Sequence, residues 1–362
     1  MATTLFIQRG DIAAWLADTA ATHTVYAPLR DKTGVHFHRL CAQDAAAQTQ
    51  ALELDRQAQT PPKNVLLPAC ETLLEFSYAK QEDGSTSLDV QPVMPQGAVL
   101  LFGPRPCDAR AFTVFDRVYD AGRGKDPYYT ARRAATVVAS VVCTRPEQSC
   151  FCTAVGGAPD DTEGSDILFT PVQDGFIVRP LTQAGEAVLR HPLFTEAAHR
   201  EEEAADVCAA ARAAVPCAPA DFTAAPEPVA ALFDDMEFWQ SVTAKCLSCG
   251  ACTYLCPTCY CFNITDESNG LEGRRLRTWD NCMSFQFTLE GSGHNPRPTK
   301  AHRYRNRIGH KFSYYPRIHD GALSCVGCGR CISSCPVTMD IRRIVHSAMQ
   351  RAQCATPEQA HE

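Results

Sequence analysis

Cys246-Leu-Ser-Cys249-Gly-Ala-Cys252-Thr-Tyr-Leu-Cys256-Pro257 returns later in the chain as Cys325-Val-Gly-Cys328-Gly-Arg-Cys331-Ile-Ser-Ser-Cys335-Pro336. Each copy reads C-x2-C-x2-C-x3-C-P, the spacing with which bacterial ferredoxins hold 4Fe-4S clusters. Thiolates two residues apart wrap a turning backbone around one corner of a cubane, while the fourth cysteine points away. In two-cluster ferredoxins that fourth cysteine ligates the other cluster. One 4Fe-4S cluster is therefore expected on Cys246, Cys249, Cys252 and Cys335, and a second on Cys325, Cys328, Cys331 and Cys256. Pro257 and Pro336 end the local turns and remove a backbone donor. A lone C-x2-C would leave zinc or a redox dithiol open. Structural zinc, however, uses two separated pairs, not two complete runs each closed by Cys-Pro.

Working outward from these runs, a chain of 362 residues can hold two domains with sizeable cores. A net charge of −7 argues against general nucleic-acid binding, which needs a basic surface. Twenty cysteines in a secreted chain would suggest a disulfide framework. The start, Met-Ala-Thr-Thr-Leu-Phe-Ile-Gln-Arg-Gly-Asp, has neither the basic and apolar regions of a signal peptide nor a twin-arginine signal. No window approaches the apolar length of a membrane span. The composition reads as a reduced, cytoplasmic, metal-binding protein.

Residues 1–225 read as an α/β unit. Asp11 to Ala21 has helical spacing of Ile12, Trp15 and Leu16, and Asp31 to Gly34 reads as a turn between the short strands Val25 to Pro28 and Val35 to Arg39. Ala98 to Gly103 and Ala134 to Val142 are continuous apolar runs, with Phe112, Phe115 and Val118 at helical spacing between them. Strand, helix, strand predicts a parallel core. Asp174-Gly175 is a hairpin signal, and Glu196 to Ala214 reads as a helix. The Pro- and Ala-rich stretch Cys217 to Pro228 marks the boundary. Residues 226–362 read as a helical two-cluster unit with a long insertion between the runs and few strand signals. The expected class is thus multidomain α+β: an N-terminal α/β domain followed by an α-helical ferredoxin-like dicluster domain.

Four further cysteines fall in loops of the first unit: Cys107, Cys143, Cys150 and Cys152. Cys107 and Cys143 each follow an apolar strand, where α/β folds place their sites. The spacing is not a standard ferredoxin phrase, so three readings stay open: a third iron–sulfur cluster, buried unligated thiols, or zinc. Asp108 reads as a helix cap in preference to a ligand. Cys259, Cys261 and Cys282 read as buried thiols packed near the first run.

No G-x-G-x-x-G, Walker A, G-x-S-x-G or H-E-x-x-H phrase occurs. No flavin or nicotinamide site is expected on this chain, and it reads as an electron conduit with no catalytic residues of its own. The insertion from His294 to Arg317 carries Arg297, Lys300, Arg303, Arg305, Arg307, Lys311 and Arg317 with no acidic residue. It is either a solvated basic loop, charge compensation for anionic clusters, or a dock for an acidic partner.

Several phrases carry a family resemblance: Cys246 to Phe262, Thr278-Trp-Asp-Asn-Cys282, Ser292-Gly-His-Asn-Pro-Arg297 and the second run, with Gly103-Pro-Arg-Pro-Cys-Asp108, Asp126-Pro-Tyr-Tyr129, Arg132-Arg133 and Cys150-Phe-Cys152 in the first unit. Together, over about residues 95 to 345, the chain resembles the family of sulfhydrogenase (nickel–iron hydrogenase) beta subunits and the iron–sulfur subunits of anaerobic sulfite reductase. The resemblance implies an iron–sulfur component of a soluble complex, with an α-helical ferredoxin fold in its second unit. Such a component relays electrons between a flavin- and NAD(P)-binding partner and a catalytic subunit, be it a nickel–iron hydrogenase, a sulfite reductase or a heterodisulfide-reductase-like module. The alternative is a self-sufficient oxidoreductase whose first unit binds a flavin or substrate.

Overall fold

The computed structural model describes residues 4–41, 43–122 and 124–354. Ten strands precede the first cysteine run: β1 (Leu5–Gln8), β2 (Thr24–Arg30), β3 (Val35–Arg39), β4 (Cys70–Lys80), β5 (Thr86–Pro92), β6 (Val99–Phe102), β7 (Thr136–Val141), β8 (Ile167–Pro171), β9 (Gly175–Pro180) and β10 (Thr195–Glu196). Two more, β11 (Phe262–Ser268) and β12 (Glu272–Trp279), lie between the runs.

Eight strands form one sheet in the order β10-β1-β9-β8-β7-β6-β2-β3. Its centre is parallel, with Thr24 beside Val99, Val99 beside Thr136 and Ala139 beside Ile167. β6 and β7 are almost wholly buried. Parallel strands covered on both faces need such unbroken apolar runs, because neither face meets water. Trp15 packs on one face with Phe102 and Phe169, while Phe112, Phe115 and Tyr129 cover the other. The predicted helix after β6 spans Pro106–Tyr119, starting earlier than the apolar spacing indicated because Pro106 occupies its first turn. The β8–β9 hairpin forms as its Asp-Gly turn requires.

The structure differs from the sequence reading in the insertion. β11 and β12 make a hairpin, and β12 pairs with β4 to give a second sheet, β11-β12-β4-β5, built from both halves of the chain. These strands lack the alternating apolar pattern that marks a strand, because β5 and β11 are exposed on both faces. Charge holds them instead. Arg274 pairs with Glu267 and Arg275 with Asp266 across the hairpin, each at 2.7 Å. Arg277 reaches Glu71 of β4 at 2.6 Å and also binds Asp126.

The region around the two runs is otherwise helix-rich. Helices Pro226–Ala231, Met236–Val242, Lys300–Gly309 and Ile341–Cys354 pack around Trp239, Tyr304, Phe312 and Val345. Phe151 and Val155, from the loop after β7, complete that core. Among the described residues no helix is long and apolar enough to cross a membrane.

Candidate metal centres

The two cysteine runs fold alike. In each, the glycine after the second cysteine is left-handed, Gly250 at φ 77° and Gly329 at φ 76°, and opens a one-turn helix, Ala251–Tyr254 or Arg330–Ser333. The residue before that second cysteine is left-handed too, Ser248 at φ 56° and Gly327 at φ 65°. Glycine is required at 327, since a Cβ there would sit 2.5 Å from the Phe151 carbonyl oxygen and 2.6 Å from the Cys152 nitrogen. The second run is therefore pressed against the loop from the first unit. The Phe151 N–H donates to the Gly327 carbonyl at 2.8 Å, and the Cys150 thiol to the Cys328 carbonyl at 3.8 Å.

Three thiol-ringed cavities result. The first is lined by Cys246, Cys249, Cys252, Cys331 and Cys335. The second is lined by Cys325, Cys328, Cys331 and Cys256. Each run thus sends its last cysteine to the cavity of the other. The third gathers Cys107, Cys143, Cys150 and Cys152, with Cys328 again in its wall. The sheet builds this last one: Cys107 lies in the helix turn after β6 and Cys143 just past β7, at the same end of adjacent parallel strands.

The donor chemistry suits a sulfur-ligated cluster, not one ion. Among the described residues no group of three or more His, Cys, Asp or Glu side chains is placed to hold a single metal ion. Burial raises the thiols of Cys328 and Cys150 to about 12 and that of Cys152 to about 11. These groups are protonated at neutral pH while free, so taking up a thiolate-ligated group releases protons.

The basic insertion is not a solvated loop. Its centre is the helix Lys300–Gly309, which runs on through a π-turn at His310–Tyr314, and Arg303, Arg307 and Lys311 are buried. Lys311 donates to Thr258 Oγ1 at 2.8 Å and to the Ser324 carbonyl at 3.2 Å. Burial alone would lower its pKa, but the Cys256, Cys259 and Cys325 sulfurs hold it above the usual range. Arg307 lines both the first and the second cavity. From the first unit, Lys63 donates to the Cys259 carbonyl at 3.1 Å and lies 4.2 Å over the Trp279 ring. Burial pushes its pKa down. No local signal marks Lys63, since it reaches the runs through tertiary packing.

Asp108 is both cap and anchor. Its carboxylate accepts from the Arg105 N–H at 3.3 Å and takes Arg330 bidentately at 2.5 and 3.0 Å, with both side chains buried. Cys259, Cys261 and Cys282 form thiol pairs: Cys259 hydrogen-bonds Cys256, and Cys282 hydrogen-bonds Cys261, holding the Cys261 thiol at about 7. A larger cleft, of about 1020 Å³, opens between helix Glu201–Ala214 and β8–β9, with Asp160, Asp161, Arg179 and Arg212 on its walls.

The profile of the 4Fe-4S dicluster domain matches residues 245–339, which span both runs. The beta subunit of sulfhydrogenase 2 from Pyrococcus furiosus is 28% identical over 323 residues, covering 87% of this chain and 89% of that protein. No solved structure matches the chain. A 4Fe-4S dicluster region and a general electron-transfer role follow from these matches, and over most of its length the chain is similar to that sulfhydrogenase beta subunit.

Proposed function

We propose that this chain is the iron–sulfur electron-transfer subunit of a soluble, cytoplasmic, multi-subunit oxidoreductase. One 4Fe-4S cluster is held by Cys246, Cys249, Cys252 and Cys335, and a second by Cys325, Cys328, Cys331 and Cys256. A third iron–sulfur cluster is held by Cys107, Cys143, Cys150 and Cys152. The observation that carries this reading is the continuity of the cavities. The first and second share Cys331, and the second and third share Cys328, so three sulfur-lined sites adjoin in a row through both halves of the chain. Bound clusters supply reversible one-electron storage. The chain's residues hold the thiolates, exclude water and surround the sites with buried cations. The ends of the row serve a flavin- and NAD(P)-binding partner and a catalytic subunit of the hydrogenase, sulfite reductase or heterodisulfide-reductase-like kind.

The test is iron and acid-labile sulfide on anaerobically purified protein. About twelve iron per chain supports all three sites, about eight confines the route to the C-terminal pair, and about four or fewer discards the reading. The cleft beside helix Glu201–Ala214 favours a second reading, in which the chain binds a flavin or substrate itself. Ala158 lies in the walls of both that cleft and the third cavity. Stoichiometric flavin on the isolated chain would support that reading, whereas copurification of a separate flavoprotein supports the first.

A further inference from the structure

Of the buried cations around the C-terminal cavities, one is left without acceptors for most of its donors. Arg307 is only 2% exposed. Its Nη2 donates to the Cys252 carbonyl at 3.1 Å, but Nε and Nη1 are buried with no partner. No carboxylate pairs with it among the described residues. The other buried cations differ. Lys311, which also lines the second cavity, is taken by Thr258 and Ser324. Arg303 donates to the carbonyls of Met283, Arg297 and Pro298. Arg330 is spent on Asp108 and the Ala58 carbonyl.

A guanidinium is always charged and presents five N–H donors in a rigid fork. Burying it with open donors is costly unless an anion or acceptor meets them. The walls around Arg307 point to that acceptor, because it borders both the cavity of the first run and the cavity of the second. A cubane with four thiolates is a net anion whose potential responds to hydrogen bonds at its sulfurs and to nearby charge.

We infer that Arg307 is a shared positioning residue for both C-terminal clusters, donating its free N–H groups towards their sulfurs and raising both reduction potentials together. This rests on the cluster assignment proposed above. A guanidinium placed between two sites stabilises the reduced, more negative form of each. Removing it shifts both potentials in one direction, whereas a residue serving one cluster shifts one.

The experiment is a redox titration followed by electron paramagnetic resonance on the full chain. It compares wild type, Arg307→Met, Arg307→Lys and the control Arg317→Gln, which alters an exposed cation of the same basic stretch. The expected result is that both midpoint potentials fall in Arg307→Met and fall less in Arg307→Lys, which keeps the charge but not the fork. Arg317→Gln stays at wild-type values. A shift of one potential alone, or of neither, overturns the inference. Should Arg307→Met fail to load iron, Arg307→Lys decides: potentials at wild-type values there reduce Arg307 to a packing role. Wild-type protein that holds fewer than two cubanes defeats the cluster assignment itself, and the inference with it. Wild type with both cubanes and unmoved potentials in the variants defeats the inference alone.

Discussion

The C-terminal pair of cavities and the N-terminal cavity gather the same kind of side chain by different means. In the C-terminal pair, a repeated local phrase sets the cysteines, and left-handed residues at matching positions turn each run around its cavity. In the N-terminal cavity, the ends of β6 and β7 and the loop that follows bring together thiols distant in sequence. Their surroundings differ as well. The C-terminal walls contain Arg307 with open donors. Next to the N-terminal cavity, Arg105 donates to the Leu54 and Val142 carbonyls and Arg330 is bound to Asp108. The C-terminal pair thus has a buried cation with open donors between its two sets of four thiols, whereas the cations beside the N-terminal set of four, Arg105 and Arg330, already have acceptors.

The largest expected effect breaks the pairing of the C-terminal sites. Cys256→Ser should cost the cluster of the second cavity, a loss of about four iron per chain, while the signal of the first cavity persists. Cys335→Ser should do the converse. Loss of the first cluster in Cys256→Ser would reverse the assignment. Next, Cys150→Ser tests whether the N-terminal cavity belongs in the comparison at all. A fall of about four iron with both C-terminal signals intact is expected. Unchanged iron would make that set structural.

These first two tests divide along what could be read locally. The dicluster phrases needed only residue spacing, since each run encodes its own turn. Cys107, Cys143, Cys150 and Cys152 could be singled out because two of them follow apolar strands, but only strand order shows that they meet. The β11–β12 hairpin was not legible. Its strands are stabilised by Arg274–Glu267, Arg275–Asp266 and Arg277–Glu71 instead of an apolar face.

A smaller effect falls on the pin between the two regions. Asp108→Ala leaves the buried Arg330 uncompensated and should cost about 3–5 kcal/mol in chemical denaturation. The double variant Asp108→Leu with Arg330→Met should recover much of that loss. If Asp108→Ala unfolds at the wild-type midpoint, the pin contributes nothing. The smallest effects compare the two runs at one matching position. Gly327→Ala meets both a left-handed backbone and the Phe151 carbonyl, and should destabilise by about 1–3 kcal/mol. Ser248→Gly relieves a left-handed serine and should stabilise by about 1 kcal/mol or less. Equal responses at the two positions would show that the loop from the first unit does not press on the second run.

The sequence alone pointed to a 4Fe-4S dicluster region, to the two cysteine runs that line the C-terminal cavities, and to the parallel α/β start of the chain. All of these follow from periodicity or spacing within a short window, where backbone geometry is local. Tertiary structure alone decided that Cys328 borders two cavities, that Lys63 lies beside Cys259, and that Arg303, Arg307 and Lys311 of the basic insertion are buried. It also decided that β12 completes a sheet with β4. Each of these joins residues far apart in the chain. A charged residue gives no local sign of whether it will face water or a buried anion, because its burial depends on what packs against it.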